Sequence, residues 1–259
     1  MARKSQTPAI FVPGGVMPAD LSYAALLREI GSQRKLILKD LEVYAGDTPP
    51  ADYELATEAE GIGRVADREG FDRFHLVGYS GGGASSLAFA TRYPERLESL
   101  ALVEPAWAGN DGWSPEEVDY WREIDRIMAL PEPELMRGFM VLNTGSGTPP
   151  EPPSGPQPEW MSKRPAGLNA MIRAFRRPHV DLEVLRQFDR PVYIAVGGKS
   201  HPSEMRKAER LASLFPDARI DVYQDRHHID PPHRAEAARF ATALLELWDR
   251  AERRSARAA

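Results

Sequence analysis

The sequence contains no cysteine and no long apolar run. Without cysteine the chain can form no disulfide, and it has no thiolate nucleophile or cysteine-based zinc site. No stretch approaches the roughly eighteen apolar residues that a membrane-spanning helix needs, so we expect no membrane partner. The net charge of −5 argues against a nucleic-acid partner, and the basic cluster Ala251–Ala259 has the composition of a frayed helix end.

At 259 residues the chain can form one large α/β domain with an insertion, which we favour, or two small domains. Met1–Thr7 is basic and polar, and Pro8 follows before an apolar signal-peptide core has developed. The sequence therefore predicts a cytoplasmic protein. It does not indicate an oligomeric state.

Short apolar runs alternate along the chain with segments of helical spacing. We predict strands over Ala9–Val12, Lys35–Val43, Phe74–Val77, Leu97–Val103, Val192–Val196 and Arg219–Tyr223. We predict helices over Asp52–Arg68, Gly81–Arg92 and Ser203–Phe215, and another from about Ala235. This alternation predicts an α/β fold with a doubly wound, mostly parallel sheet.

Between Trp107 and Asp189 the pattern changes. Helical segments over Pro115–Leu130, Glu132–Leu142 and Ala166–Phe175 surround Thr148–Pro158, which holds six prolines. We interpret residues 107–179 as an α-helical cap inserted into a core of residues 1–106 and 180–259. The alternative is a disordered linker between two domains, but neither flank could build a core alone.

Ser80 lies at the centre of a Gly-Tyr-Ser-Gly-Gly motif, between an apolar strand and a helix rich in small residues. Glycines at positions 78 and 82 fit a strand-to-helix turn in which the backbones approach too closely for a Cβ. Such a turn lifts the serine out of the sheet as a nucleophile. The alternative is a structural glycine-rich turn, which the strand-turn-helix context makes less favourable.

A serine nucleophile needs a base, and three of the six histidines follow the last predicted strand. We choose His228 because the apolar Ile229 beside it can anchor the loop; His227 is the second choice and His233 the third. A metal site with Asp225 and Asp230 is disfavoured, because adjacent histidines on an extended loop point in opposite directions. We expect no metal and no cofactor.

The acid that would orient the base is missing from its usual loop, where this chain reads Gly197-Gly198-Lys199-Ser200. Glu104 ends the strand after the nucleophile helix, at the same carboxyl edge of the sheet as Ser80. A glutamate behind four apolar residues is costly to bury unless it is paired. We therefore predict Glu104 as the acid, the alternative being a solvated strand-end glutamate.

An oxyanion hole needs donors beside the nucleophile. We predict the backbone N–H of Gly81 and that of Gly15 in the first glycine-rich loop, with Val16 as the alternative to Gly15. For the substrate pocket we name Val16, Tyr79 and Trp107, the last because it lies three residues beyond Glu104. We expect the other tryptophans, the methionines and Phe139 of the cap to form the core of the cap rather than to contact a ligand.

The sequence resembles the α/β-hydrolase superfamily over most of the chain outside the cap. The resemblance is carried by the turn at Ser80, called the nucleophile elbow, by the helix after it and by the run Tyr93-Pro94-Glu95-Arg96-Leu97. The resemblance implies Ser80 as nucleophile, His228 as base, and Gly15 and Gly81 as oxyanion donors. Two departures stand out: Glu104 replaces the usual aspartate, as in some lactonases and haloalkane dehalogenases, and the usual first two strands are missing. A serine at the elbow excludes the dehalogenase and epoxide-hydrolase chemistries, which use an aspartate.

These features predict a serine hydrolase that cleaves a small, hydrophobic ester or lactone through an acyl-enzyme. A non-catalytic small-molecule receptor on the same fold is the alternative from another class, although a receptor would more often have lost one of the reactive residues. Hydrolysis of a carbon–carbon bond or a thioester by the same residues remains open.

Overall fold

The computed structural model describes residues 6–32, 34–144, 158–177 and 180–258. Its strands are β1 (Ala9–Val12), β2 (Leu36–Leu38), β3 (Phe74–Tyr79), β4 (Leu97–Val103), β5 (Val192–Gly197) and β6 (Ala218–Tyr223). They form one sheet in the order β2-β1-β3-β4-β5-β6, in which all described pairings are parallel. The predicted α/β fold with a parallel sheet is confirmed.

At least one α-helix follows each strand along the chain, and after β2 a 3₁₀ turn comes before the helix. The helices are α1 (Ala19–Ile30), α2 (Leu55–Arg68), α3 (Gly81–Arg92), α4 (Pro115–Met128), α5 (Glu132–Thr144), α6 (Glu159–Ser162), α7 (Arg164–Phe175), α8 (Leu182–Gln187), α9 (Pro202–Leu214), α10 (Pro232–Ala235) and α11 (Ala237–Ala258). Glu42–Tyr44 and Pro94–Arg96 form single 3₁₀ turns. Helices α4 to α7 all lie between β4 and β5, and we call them the helical insertion.

Alternate strand residues face two separate hydrophobic cores, one on each side of the sheet. Ile10, Leu76 and Leu100 pack with α2 and α3, whereas Phe11, Val77 and Ala101 pack with α1 and α11. Because both faces are covered, the central strands are buried throughout, and this burial explains why most of their residues are apolar.

The second strand is shorter than predicted. It ends at Leu38, where Asp40 accepts a hydrogen bond from the Ala19 N–H at 2.7 Å and the chain leaves the sheet. Val43 lies instead in a 3₁₀ turn, held by the buried Glu58 carboxylate that accepts from its N–H at 3.0 Å. The predicted strand over Lys35–Val43 was therefore wrong beyond Leu38.

The basic tail is not a frayed end, because α11 continues to Ala258. Arg250 and Arg254 bind Asp217 at 3.2 and 3.6 Å, which fixes the last turns of the helix to the sheet. Sequence patterns also missed α1, α6 and α8. The proline-rich stretch up to residue 157 and His179 lie outside the described residues.

Candidate active site

Ser80 joins β3 to α3 in a left-handed backbone conformation, with φ 52° and ψ −117°. The turn is tight enough to need its glycines. A Cβ on Gly82 would lie 2.3 Å from the Val12 carbonyl oxygen, and one on Gly78 would lie 2.4 Å from the carbonyl oxygen of Gly82. Since real Cβ atoms do not approach backbone this closely, no other residue fits either position.

Three side chains form a hydrogen-bonded row. The Ser80 Oγ lies 2.9 Å from His228 Nε2, and His228 Nδ1 lies 2.9 Å from Glu104 Oε2. His228 and Glu104 are only 4% and 2% exposed. A carboxylate only accepts hydrogen bonds, so Nδ1–H donates to Glu104 and Nε2 accepts from the Ser80 hydroxyl. This is the tautomer in which Nε2 can take a proton from serine.

The second oxygen of Glu104 is held by the loop after β5. Its Oε1 accepts from the Gly197 N–H at 2.6 Å and from the Ser200 hydroxyl at 2.5 Å. Burial alone would raise the pKa of Glu104, but the hydrogen bonds from His228, Ser200 and Gly197 lower it below its usual value. Glu104 is therefore ionised at neutral pH. The sequence prediction missed Ser200, although its hydroxyl stands in the very loop where a carboxylate was sought.

Ser80 and Glu104 are also the only non-glycine residues with positive φ in the described part of the chain. Each follows the last residue of a strand, and those strand residues, Tyr79 and Val103, are paired in register. The Ser80 N–H donates to the Val103 carbonyl at 3.0 Å, and the Glu104 N–H donates to Ala195 at 3.1 Å. Such conformations cost about 1–3 kcal/mol each and persist where the surrounding structure fixes them.

The last residue of β3 holds the loop that carries His228, which we call the histidine loop. The Tyr79 hydroxyl donates to the carbonyl oxygen of His228. The neighbouring His227 turns away, and its Nδ1 accepts from the Asp230 N–H at 3.2 Å. His233 is fully buried against the Tyr79 ring and does not join the row. Of the three candidate histidines, the structure brings only His228 to Ser80.

The two predicted oxyanion donors lie side by side. A Cβ built on Gly81 would be 3.6 Å from the Gly15 amide nitrogen. Neither of these N–H groups donates to another group within the described residues. The Tyr44 hydroxyl donates to the Gly15 carbonyl at 2.6 Å and so helps to hold the backbone at Gly15 in place. Both N–H groups are thus free for a ligand next to Ser80.

A cavity of about 590 Å³ opens above Ser80 and His228. Val16 and Tyr79, which we predicted for the substrate pocket, line it, and the helical insertion contributes Tyr120, Trp121, Phe139, Met140, Trp160 and Met171, among others. Trp107 is not among the lining residues. It is 1% exposed in the core, with its Nε1–H donating to Asn110 at 2.6 Å, and Ala106 faces the cavity in its place.

The model of the alpha/beta hydrolase fold family matches residues 8–142, just over half of the chain. The chain belongs to the α/β-hydrolase family. This confirms the family predicted from the elbow and the segment after it.

A stretch of 140 residues is 35% identical to 2-hydroxy-6-oxo-6-phenylhexa-2,4-dienoate hydrolase of Comamonas testosteroni. The match covers 52% of this α/β-hydrolase and 49% of the relative, so it spans about half of the relative's length. The esterase EaEST from Exiguobacterium antarcticum superposes with a TM-score of 0.71 at 18% identity, covering 95% of this chain and 93% of that one. MenH from S. aureus gives a TM-score of 0.73 at 14% identity, covering 97% and 96%. These superpositions show a shared fold.

Glu204 brings a second carboxylate close to the row in this α/β-hydrolase. One ligand atom from each of Glu104, Glu204 and His228 lies within 4.8 Å of the others. However, both oxygens of Glu204 already bind the Lys207 ammonium at 2.9 Å, and that ammonium also donates to the Pro105 carbonyl at 2.7 Å. A metal ion would have to displace the lysine and compete with the Glu104–His228 hydrogen bond.

The carboxylates near the histidine loop of the α/β-hydrolase have other partners. Asp225 binds Lys199 at 2.9 Å, and Asp230 binds Arg226 at 2.7 Å. His75 is buried and hydrogen-bonded to Ser99, and His201 contacts Ser203, so both have ordinary structural partners. Among the described helices, none is both long and apolar enough to cross a membrane.

Proposed function

We propose that this chain is a serine hydrolase that cleaves small, hydrophobic esters or lactones through an acyl-enzyme on Ser80. The observation that carries the proposal is the row of two 2.9 Å contacts from Ser80 through His228 to Glu104, on the wall of a largely apolar cavity. The full set of a nucleophile, an oriented base and a buried acid is what acyl transfer needs.

In the first step His228 Nε2 accepts the Ser80 hydroxyl proton while Oγ attacks the carbonyl carbon of the ester. The imidazole becomes positively charged, and the ionised Glu104 stabilises that charge through the Nδ1–H bond. Because Gly197 and Ser200 fix the other carboxylate oxygen, Glu104 keeps its orientation when the charge on the histidine changes.

The carbonyl oxygen gains negative charge as the tetrahedral intermediate forms. The N–H groups of Gly15 and Gly81 are placed to donate to it, since both are without another acceptor in the described residues and adjoin Ser80. His228 then returns its proton to the leaving alcohol. Water deacylates Ser80 by the same route, with His228 again as the base.

The helical insertion supports the choice of substrate class. Its aromatic and methionine side chains make most of the cavity apolar, which favours small substrates with a hydrophobic acyl or alcohol part. We propose that these helices act as the cap predicted over residues 107–179, closing the site against bulk water. The cytoplasmic location stays a prediction.

The test is intact-mass analysis after treatment with a fluorophosphonate, combined with hydrolysis of para-nitrophenyl butyrate. The wild type should gain one adduct and turn over the ester, whereas Ser80→Ala should do neither. Ser85→Ala is a matched control, because Ser85 is a buried serine in α3 whose hydroxyl donates to the Gly81 carbonyl. An unlabelled wild type that binds hydrophobic ligands without turnover would support the receptor alternative and overturn the hydrolase.

Hydrolysis of a carbon–carbon bond is the second candidate, favoured by the 35% identity to the Comamonas hydrolase. The substrate in that protein's name contains no ester, so its hydrolysis must break a carbon–carbon bond. Incubation of this chain with the same phenyl compound, followed by chromatography for benzoate, distinguishes the two. Benzoate release at a higher kcat/KM than para-nitrophenyl butyrate hydrolysis would make this the principal reaction.

A further inference from the structure

The cavity above Ser80 has one polar corner, formed by Ser22 and Arg234. Among the described residues that line the cavity, Arg234 carries the only permanent charge. Ser22 lines the same cavity although it is only 1% exposed. The two are held together through His233, which precedes Arg234 in the chain and whose Nε2 lies 3.3 Å from Ser22 Oγ.

Arg234 has no acidic partner within the described residues, although carboxylates are near in sequence. Asp230 binds the Arg226 guanidinium at 2.7 Å, and Glu236 binds the same group at 3.2 Å. Arg239 contributes a further contact to Glu236 at 3.2 Å. The neighbouring acids therefore bind other arginines, and the exposed Arg234, at the edge of the cavity, has no acid to pair with in the described part of the chain.

Ser22 has a hydroxyl proton available. His233 is fully buried and its Nδ1 has no hydrogen-bond partner in the described residues. Burial, with the nearby charges of Arg234 and His228, lowers the pKa of His233 to about 3, so the ring is neutral and carries a single N–H. On Nε2 that N–H has Ser22 Oγ as acceptor, whereas on Nδ1 it would be buried and unpaired. With the proton on Nε2, Ser22 accepts from His233, and its own O–H can donate into the cavity.

We propose that Ser22 and Arg234 form an anion-binding subsite, and that the substrate carries a carboxylate at some distance from the bond that is cleaved. The proposal rests on the proposed hydrolase function and specifies its substrate class. A guanidinium and a hydroxyl proton are both donors, and together they match a carboxylate better than a neutral polar group. The apolar walls between this corner and Ser80 would then hold the carbon chain that joins the carboxylate to the reacting carbonyl.

The test compares para-nitrophenyl esters of equal chain length with and without a terminal charge. The charged set consists of the monoesters of succinate, adipate and suberate, and the neutral set consists of the butyrate, hexanoate and octanoate esters. For at least one chain length, kcat/KM should be higher for the charged ester. In Arg234→Gln the ratio of charged to neutral kcat/KM should fall about tenfold at that length, as expected for loss of a charge-assisted hydrogen bond. Ser22→Ala should lower the ratio by a smaller factor.

The matched control is Arg28→Gln, which removes the same charge from an exposed position on α1 that does not line the cavity. Its ratio should equal that of the wild type. Ratios that are the same in the wild type, Arg234→Gln and Arg28→Gln at every chain length would overturn the subsite while leaving the hydrolase intact. An equal fall in the two arginine variants would also overturn it, because general electrostatic attraction would then suffice.

A binding measurement separates failure of the subsite from failure of the hydrolase. Ser80→Ala can be titrated with hexanoate and with hexanol, using the fluorescence of Trp121 and Trp160, which line the cavity. The ratio of the two dissociation constants should favour hexanoate, and should shift about tenfold toward hexanol when Arg234→Gln is added. If no ester is hydrolysed, this shift would still support the subsite, and its absence would overturn it.

Discussion

Replacing Glu104 by glutamine tests the hydrogen-bonded row of Ser80, His228 and Glu104, because glutamine keeps the shape of the side chain and removes its charge. The amide oxygen of the new side chain must take the place of Oε1, because the Gly197 N–H and the Ser200 hydroxyl both donate there at 2.6 and 2.5 Å. The opposite orientation would set the amide N–H₂ against these donors. The N–H₂ group therefore faces His228 Nδ1, at the position where Oε2 now accepts.

A donor at this position forces the wrong tautomer on the histidine. Nδ1 must then accept, the ring proton moves to Nε2, and His228 can no longer take the proton of Ser80. The equivalent Asp→Asn exchange in a serine-protease triad lowers kcat about 10⁴-fold. We expect a loss of this size for Glu104→Gln, which corresponds to about 5.5 kcal/mol in the activation free energy.

The assay is kcat for para-nitrophenyl butyrate, with thermal unfolding to confirm that the variant is folded. Glu98→Gln is the matched control, since Glu98 is 4% exposed and lies on the same strand β4 near its other end. It should keep wild-type kcat. A folded Glu104→Gln enzyme with kcat within tenfold of the wild type would remove Glu104 from the mechanism, and an equal loss in Glu98→Gln would assign the effect to the strand.

Tyr44→Phe removes the hydroxyl that donates to the Gly15 carbonyl at 2.6 Å, so kcat for the butyrate ester should fall up to about tenfold with little change in KM. His233 has a folded pKa of about 3 against 6.5 unfolded, so between these values only the unfolded chain binds its proton. His233 should therefore contribute about 1.4 kcal/mol per pH unit to the fall in the free energy of unfolding as the pH drops below 6.5, so urea titrations should show a slope shallower by this amount in His233→Phe. Lys207→Met leaves the Glu204 carboxylate buried without its cation, and should lower the free energy of unfolding by about 3–5 kcal/mol in the same titration.

Contrary results are equally concrete. An unchanged kcat in Tyr44→Phe would mean that the Gly15 peptide needs no support from this hydroxyl. Parallel pH slopes for the wild type and His233→Phe would place the acid sensitivity elsewhere. A Lys207→Met variant as stable as the wild type would show that Glu204 is not held as a buried anion.

The central strands could be predicted closely because both faces of the sheet are covered. Leu97–Val103 is apolar except at Glu98 and Ser99, and the structure places β4 over the same residues. The edge strand β2 is only half-buried. The alternating pattern of its sequence continues beyond Leu38, where the strand ends in the structure. The missed α1 did carry a signal, since Tyr23, Leu26 and Ile30 are buried at helical spacing before Gly31.

In the site, the positions of Ser80, Glu104 and His228 were predicted, whereas the hydrogen bonds that hold them in place were not. Ser80 and Glu104 each follow a strand, so their edge of the sheet was known. The hydroxyls of Ser200 and Tyr79 act through loop and rotamer geometry that no local pattern encodes. Trp107 was expected in the cavity from its closeness to Glu104 in sequence, but the left-handed turn at Glu104, with φ 41°, leaves Ala106 facing the cavity and Trp107 in the core.

The pairing of β3 with β4 also bears on when the protein becomes reactive during its synthesis. Ser80 and Glu104 belong to one strand-helix-strand unit, so their relative position is set as soon as that unit folds. His228 follows Glu104 by 124 residues and reaches them only when β6 has joined the far side of the sheet. On the proposed roles, the pairing of β3 with β4 positions Ser80 and Glu104, but the serine is activated only when the histidine loop docks.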